Sequence, residues 1–269
     1  MKNLARELLV RPGSRIKLAD IDPGDTHGVK KEEAAGQLAK NLDRLSVLQY
    51  MLYAEGQRSL LVVLQGIDAG GKDGTIRGVM SGLNPQGVKV AAFKVPEGPE
   101  KRHDYLWRVH QAMPEWGQLG IFNRSHYEDV LVARVHDLVP KAVWQKRYRQ
   151  INDFERMLCE NRVRIVKFLV YIDKKEQARR FRERLDDKAR NWKFSPADLK
   201  EREYWDQYIG AYEDMLRKCS TKAAPWYVIP ANKKWFRNLA VSQIIRDELE
   251  SMKLKYPAPA ADLSAIRFE

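Results

Sequence analysis

The stretch that decides the fold is Gly66-Ile67-Asp68-Ala69-Gly70-Gly71-Lys72-Asp73-Gly74-Thr75, which we call the glycine loop. It follows the apolar run Leu60-Leu61-Val62-Val63-Leu64, which predicts a buried strand. A strand, a glycine-rich turn and a helix start together bind phosphate, because backbone N–H groups and the positive helix end point at the anion. The predicted phosphate-binding residues are Gly66, Ala69, Gly70, Gly71, Lys72, Asp73, Gly74 and Thr75.

Two acids make the loop depart from the Walker A pattern G-x-x-x-x-G-K-[ST]. Asp73 stands where the pattern has Ser or Thr, and Asp68 places a second carboxylate inside the loop. Two carboxylates beside a phosphate repel it unless a cation lies between them. The departure from the pattern therefore predicts a metal ion as well as a phosphate.

The composition is that of a globular protein, with 44% hydrophobic and 31% charged residues in a chain of 269. No apolar run approaches the roughly 20 residues needed to cross a bilayer, and we expect no membrane partner. The first apolar cluster is too short for a signal-peptide core. Two cysteines, Cys159 and Cys219, exclude a disulfide framework and favour a cytoplasmic protein.

The chain is strongly basic, with a net charge of +12 and a pI near 9.6. This balance favours an anionic partner. Nucleic acid, an acidic membrane and a polyphosphorylated ligand all satisfy that condition, and charge alone does not choose among them. The position of the basic residues is more informative.

Strand and helix signals alternate after about residue 28, whereas the earlier residues look extended and rich in turns. Strands are predicted at 60–65, 88–93, 119–123, 165–172 and 226–229. This alternation predicts a three-layer α/β fold with a parallel five-stranded sheet flanked by helices. We expect a single domain, residues 1–269, composed of an N-terminal extension and helix (1–56) and a core (57–253) that includes a helical lid (about 180–200).

Polar residues follow three of the predicted strands. Right-handed crossovers place the carboxyl ends of parallel strands on one edge of the sheet, where ligands bind. The glycine loop, Asn123-Arg124-Ser125 and Asp173 lie at such ends, so we expect them to converge. Asp173 is also a candidate N-cap for the helix that follows it.

The residues after the third strand resemble a second phosphate-site motif. An acid usually ends this strand and holds magnesium directly or through water; here the residue is Asn123, which has no charge. Arg124 is suited to brace a transferring phosphoryl group. Glu128 and Asp129 open a helix, so they could merely complement its dipole, but beside Arg124 we favour a functional role. We expect His126 to be a surface or hydrogen-bonding residue rather than a general base.

A dense basic stretch occupies residues 174–193. Its nine cations are Lys174, Lys175, Arg179, Arg180, Arg182, Arg184, Lys188, Arg190 and Lys193, against four acids. One interpretation is a solvated helix with many ion pairs. Its expected position beside the glycine loop favours another, a mobile segment that closes over a phosphate site and excludes water.

Together these segments resemble the polyphosphate kinase 2 family from about residue 54 to residue 249. The matching text comprises the glycine loop, Asp104-Tyr105-Leu106-Trp107-Arg108, residues 122–130, Trp192-Lys193-Phe194, Trp205-Asp206 and residues 224–232. Within the family, residues 123–129 resemble the class III branch, which is associated with phosphorylation of both AMP and ADP.

The resemblance implies a thymidylate-kinase-like P-loop fold, Mg²⁺ (with Mn²⁺ as an alternative), inorganic polyphosphate as donor and a homo-oligomer, often a tetramer. By motif, Asp68 would hold and activate the acceptor phosphate or its metal, and Lys72 would bind phosphate. Arg124 would stabilise charge during transfer, while Glu128 and Asp129 would place the nucleotide. The lid residues would be Arg180, Arg184 and Lys188.

We therefore expect reversible transfer of the terminal phosphoryl group of polyphosphate to AMP and ADP, giving ADP and ATP. A basic channel suits this linear polyanion, and phosphoryl transfer needs mainly positioning and cations. Two alternatives remain at this point. An ATP-dependent nucleoside monophosphate kinase shares the fold and the lid. A basic nucleic-acid-binding module could reuse the scaffold without turnover, although we expect no nucleic-acid partner.

Overall fold

The computed structural model describes residues 3–189, 191–261, 263 and 266. Its strands are β1 (Leu9–Val10), β2 (Ser59–Gln65), β3 (Val88–Ala92), β4 (Leu119–Asn123), β5 (Val163–Tyr171) and β6 (Trp226–Pro230). Its α-helices are α1 (Leu4–Leu8), α2 (Lys31–Glu55), α3 (Lys72–Met80), α4 (Trp107–Gln111), α5 (Val132–Val135), α6 (Lys141–Glu160), α7 (Lys174–Asp186), α8 (Pro196–Glu201), α9 (Trp205–Cys219) and α10 (Lys234–Ser251).

The strands form one sheet in the order β1-β6-β5-β2-β4-β3. All neighbours are parallel except β1 and β6, which pair antiparallel through Leu9 with Tyr227 and Val10 with Trp226. The five predicted strands are confirmed, and β2 lies inside the sheet between β5 and β4, with all seven of its residues buried. Parallel strands covered on both faces read as continuous apolar runs of this kind.

Alternate residues of β2 point into two separate cores, which makes the fold three-layered. Leu61 and Val63 belong to the core that includes Phe154 of α6 and Met215 of α9. Leu60, Val62 and Leu64 belong to the other core. That second core is formed with α2, α3 and α10, through Leu45, Leu52, Val79, Phe236 and Ile244 among others.

The N-terminal segment differs from the extended, turn-rich chain expected there. It forms α1 and then β1, which adds a sixth strand to the edge of the sheet at β6. Leu4 and Leu8 are buried in the same core as α2 and α10, and Ser220 Oγ donates a 2.6 Å hydrogen bond to the Val10 carbonyl. Residues of the predicted extension therefore contribute to the sheet and its core.

The predicted convergence of strand ends is present. The glycine loop leaves β2, whose partners on either side are β4 and β5, with Leu64 opposite both Asn123 and Phe168. Asp173 follows β5 and caps α7, since its Oδ1 accepts a 2.6 Å hydrogen bond from the Glu176 backbone N–H. In the described part of the chain, no helix combines the length and the hydropathy needed to span a membrane.

Candidate phosphate-binding site

A cavity of about 1260 Å³ lies at the carboxyl edge of the sheet, around the glycine loop. Among the described residues, the lining contains nine basic ones, Lys72, Arg77, Lys94, Arg124, Arg180, Arg184, Lys193, Lys234 and Arg237. The lining acids number four, Asp68, Asp73, Glu183 and Asp198. This excess of positive charge in a concave site favours a polyanionic ligand.

The backbone of the glycine loop requires glycine at two turning points. Gly66 has φ +151°, and a Cβ there would lie 2.5 Å from the Val170 carbonyl oxygen. Gly71 has φ +110° and directly precedes α3. A side chain is disfavoured at both angles. The loop therefore brings the positive end of α3 to the cavity, as the sequence predicts for a phosphate cradle.

Lys72 is anchored by the loop that it follows. Its ammonium group donates hydrogen bonds to the carbonyls of Gly66 (2.5 Å) and Ile67 (3.3 Å). An ammonium has three N–H donors, so one remains for a ligand. Burial, followed by the charge of Arg124, lowers the pKa of Lys72 to about 8, and nearby carboxylates oppose this shift only in part. A bound polyanion would restore the charge that burial disfavours.

Arg124 joins the two motifs that the sequence singled out. Its guanidinium donates to Asp68 Oδ1 at 2.6 Å and to Glu128 Oε2 at 3.2 Å. Burial disfavours the charged guanidinium, but the carboxylates of Glu128 and Asp68 outweigh burial and raise the pKa of Arg124. Arg124 has φ +63°, so its backbone turns sharply at the end of β4. Asp68 and Glu128 thus hold a permanent cation at the cavity.

Asp73, the residue that departs from the Walker A pattern, also connects separate segments. Its carboxylate accepts hydrogen bonds from Asn123 Nδ2 at 2.8 Å and from the Lys193 ammonium at 2.9 Å. Burial raises the pKa of Asp73, but the hydrogen bonds from Lys193 and Asn123 outweigh it, and the net change is a lowered pKa. The position that usually carries a hydroxyl therefore carries an anion bound to the basic stretch.

Arg180 lies elsewhere than on the lid expected from the sequence. It is 5% exposed on α7, and its Nη1 donates to the carbonyls of Ala69 (2.9 Å) and Gly70 (2.7 Å). Its Nη2 donates to the Ala231 carbonyl, and its Nε donates to Glu176 at 2.7 Å. Arg180 thus supports the glycine loop from α7, because its position on that helix directs its side chain toward the loop carbonyls.

The remaining predicted lid residues are more exposed than Arg180. Arg184 lines the cavity and lies 3.8 Å from Asp198 on α8. Lys188 is exposed and borders a smaller adjoining cavity of about 590 Å³. Lys193, in a short 3₁₀ turn, reaches the main cavity. Arg190, part of the same basic stretch, lies outside the described residues.

Asp129 does not line the main cavity in this structure. Its Oδ1 accepts a 2.9 Å hydrogen bond from Arg147 of α6, and burial raises the pKa of its carboxyl despite that charge. Glu128 contributes through Arg124 rather than as a lining residue. The two acids expected to place the nucleotide therefore have arginine partners in the described structure.

A buried polar network supports the segment that carries Arg124 and Glu128. Glu155 of α6 accepts hydrogen bonds from His126 Nε2 (3.1 Å), the Tyr127 hydroxyl (2.8 Å) and the Lys167 ammonium, all nearly inaccessible to solvent. Burial raises the pKa of Glu155, but Lys167 and His126 outweigh it and keep the pKa low. Of the two expected roles for His126, surface or hydrogen-bonding, the structure shows the second, with Glu155 as the partner of a buried ring.

Several lining residues were absent from the sequence-based prediction. They are Arg77, Lys94, Lys234, Arg237 and Asn238. Arg237 is the most buried of the missed cations, at 3% exposed. Glycines at 71, 74 and 78 are a signal that could have indicated it, because three glycines on one face of α3 leave room for a neighbouring side chain.

Protein oxygen atoms for a metal are few at this site. Among the described residues, no group of three or more His, Cys, Asp or Glu side chains could hold a metal ion. Mg²⁺ commonly binds through one or two carboxylates and completes its shell with water and substrate phosphates. Asp68 and Asp73 both line the cavity and satisfy that smaller requirement.

Comparison with known proteins agrees with this chemistry. The family model described as polyphosphate kinase 2 matches residues 28–257. An AMP/ADP-polyphosphate phosphotransferase of Meiothermus ruber is 55% identical over 97% of this chain and 98% of its own length. An ADP-polyphosphate phosphotransferase of Rhodopseudomonas palustris is 44% identical over 96% of this chain and 93% of its own.

A solved structure shows the same fold. The crystal structure of polyphosphate kinase 2 from Arthrobacter aurescens TC1 matches with a TM-score of 0.94 and 44% sequence identity, over 98% of this chain and 95% of that one. The match therefore covers nearly the whole chain. The chain belongs to the polyphosphate kinase 2 family.

Proposed function

We propose that this protein transfers the terminal phosphoryl group of inorganic polyphosphate to AMP and ADP, giving ADP and ATP, in a reversible reaction. The observation that carries the proposal is the cavity around the glycine loop, where nine basic residues face four acids. A donor with one negative charge per phosphate unit matches this excess. The relatives named as AMP/ADP- and ADP-polyphosphate phosphotransferases support the same assignment.

In the proposed reaction, an acceptor phosphate oxygen attacks the terminal phosphorus of polyphosphate. A new P–O bond forms, the bond to the next bridging oxygen breaks, and the donor leaves one unit shorter. Arg124 sits between Asp68 and Glu128, where it can stabilise charge on the transferring group. Asp68 would orient the acceptor phosphate, and the backbone N–H groups of the loop with Lys72 would hold phosphate oxygens.

The residues also fit a divalent cation, with Mg²⁺ the expected ion and Mn²⁺ an alternative. Asp68 would hold it, and Asp73, with Asn123 beside it, offers a second carboxylate. When bound, the ion would neutralise repulsion between the carboxylates and the phosphates. Asp68, Asp73 and Asn123 would position oxygen atoms around that charge.

Residues 1–269 would act as one polyphosphate kinase 2 domain of the P-loop type. Arg184 and Lys188 would approach the phosphates from the basic segment at about 180–200, whereas Glu128 and Asp129 would position the nucleotide side through Arg124 and Arg147. We further propose a cytoplasmic homo-oligomer, with a tetramer as the expected form. The free thiols of Cys159 and Cys219 are compatible with a reducing compartment.

A donor-exchange assay tests the function directly. The purified protein, incubated with polyphosphate, Mg²⁺ and AMP, should give ADP and then ATP. The same assay with ATP in place of polyphosphate examines the alternative, an ATP-dependent nucleoside monophosphate kinase. Absence of nucleotide product with polyphosphate, together with rapid turnover with ATP, would refute the proposal.

Two substitutions test the assigned residues. Asp68→Asn and Lys72→Ala should each lower the transfer rate at least about a hundredfold, the scale of losing a transition-state contact. Asp153→Asn is a matched control, because Asp153 lies on α6 in an exposed ion pair with Arg156. Near-native rates in both site variants would remove these residues from the mechanism.

A further inference from the structure

Arg237 is a buried cation that none of the roles above uses. It lies in the first turn of α10 and is 3% exposed, yet it lines the main cavity. A Cβ on Gly71 would lie 2.1 Å from Arg237 Nη1, so the guanidinium packs against the turn that begins α3. The cation therefore lies at the positive end of that helix, where a second positive charge is unfavourable without an anion.

The glycines of α3 create the space that Arg237 occupies. A Cβ on Gly74 would lie 3.1 Å from Arg237 Nη2, and a Cβ on Gly78 would lie 2.2 Å from Asn238 Nδ2. Gly71, Gly74 and Gly78 are one helical turn apart and form a groove on α3. The groove holds Arg237 and Asn238 directly beside the glycine loop.

The charge of Arg237 has no carboxylate partner among the described residues. In the described structure its hydrogen bonds go to a single acceptor, Asn238 Oδ1, from Nε (3.1 Å) and Nη2 (2.8 Å), which leaves Nη1 free. Burial and the nearby charge of Arg180 lower its pKa to about 10, with no carboxylate acting in the other direction. Arg180, by contrast, has Glu176 as its partner. An unpaired, largely buried charge is unfavourable, and an anion in the adjoining cavity would relieve it.

We propose that Arg237 binds a phosphoryl group of the polyphosphate donor, through Nη1 and together with the backbone at the start of α3. Asn238 orients the guanidinium for this contact. Each of the four lining acids has a basic partner other than Arg237: Arg124 for Asp68, Lys193 for Asp73, Lys234 for Glu183 and Arg184 for Asp198. Arg237 has none of these lining acids as its ion-pair partner in the described structure, so its charge is left for the donor, which brings only negative charge. This inference rests on the proposed function, because it names which substrate Arg237 recognises.

The test measures binding rather than turnover. Titration calorimetry of the full chain with polyphosphate of defined length, and separately with AMP, should show that Arg237→Gln weakens polyphosphate about tenfold to a hundredfold. AMP affinity should change less than about threefold. The slope of log affinity against log salt should fall by about 0.7 to 0.9 for polyphosphate, as for one lost phosphate contact. The polyphosphate affinity of Arg237→Lys should lie between that of Arg237→Gln and that of the parent, because lysine keeps the charge but lacks the planar guanidinium.

Arg156→Gln is the matched control, since it removes one positive charge from an exposed ion pair on α6. It should leave polyphosphate affinity unchanged, and melting temperatures of all variants should confirm that they fold. If Arg237→Gln and Arg237→Lys bind polyphosphate as the parent does, or lose AMP affinity equally, the inference is wrong. If the parent transfers no phosphate but binds polyphosphate through Arg237, the proposed function fails while the binding role stands.

Discussion

The pKa of Lys72 leads to a prediction about how polyphosphate use depends on pH. The lysine is buried, and its pKa is lowered to about 8 by burial first and by Arg124 second, while Asp68, Glu128 and Asp73 oppose the shift. Phosphate binding requires the ammonium form. In the free enzyme, about half of the Lys72 side chains are charged at pH 8 and about a tenth at pH 9.

The expected result is that kcat/KM for polyphosphate falls about tenfold per pH unit above pH 8, because kcat/KM follows the pKa of the free enzyme. Bound polyanion stabilises the ammonium, so kcat should fall only at higher pH. The effect of pH on the stability of the folded chain has the opposite sign to its effect on polyphosphate use. Between pH 8 and 10.5 the unfolded chain binds more protons at Lys72, so this group's contribution to the free energy of unfolding rises with pH, by about 3 kcal/mol in all.

Steady-state rates measured from pH 6.5 to 9.5 at constant ionic strength check this prediction. Lys72→Arg is the informative variant, because guanidinium stays charged throughout that range. Its absolute rate should be lower, since Arg does not fit the two loop carbonyls in the same way, but its kcat/KM should not fall between pH 7 and 9. A flat profile for the parent, or the same decline in Lys72→Arg, would refute the reasoning.

Three further substitutions test the supporting contacts. Glu155→Gln should lower the free energy of unfolding by about 3–5 kcal/mol in urea denaturation, because it leaves the Lys167 ammonium buried without a carboxylate. The double variant that also carries Lys167→Met should recover most of this loss. A loss below about 1 kcal/mol in Glu155→Gln would contradict the prediction. Arg180→Lys should reduce the transfer rate at least about tenfold, because its hydrogen bonds to the loop carbonyls are lost; a rate within twofold of the parent argues against it. Asp73→Asn should change the free energy of unfolding by less than about 1 kcal/mol, because the contact of Asp73 with Lys193 is largely exposed. It should, however, raise the Mg²⁺ concentration needed for half-maximal rate. An unchanged Mg²⁺ requirement would exclude Asp73 as a ligand.

Much of the fold was predictable because its signals are local. The strands of the parallel sheet are buried on both faces and read as apolar runs, and the alternation with helices determines the topology. Strand β1 was not predictable, because a strand of two residues, Leu9 and Val10, is too short to show an alternating hydrophobic pattern. Its place depends on the distant edge of β6, which only the tertiary structure supplies.

The site was predictable where chemistry follows a strand end and unpredictable where it depends on helical phase. Asp68, Lys72 and Arg124 meet at the cavity because the sheet brings β2 and β4 together. Arg180 and Arg184 are one turn apart in a run of basic residues, and sequence alone does not show which of the two is buried. Arg237 belongs to no motif of the sequence, so its place beside the cavity is indicated only by the glycines of the facing helix.

The hydrogen bonds of Arg180 have a consequence for the thermodynamics of ligand binding. This one side chain joins the carbonyls of Ala69 and Gly70 to that of Ala231, so the loop has its shape before any phosphate arrives. Ordering a flexible backbone opposes binding by about 1–2 kcal/mol per residue, and a loop already held in place avoids that penalty. Even a fragment as small as pyrophosphate should therefore bind without a large unfavourable entropy, and longer donors should gain affinity from added contacts rather than from reshaping the loop.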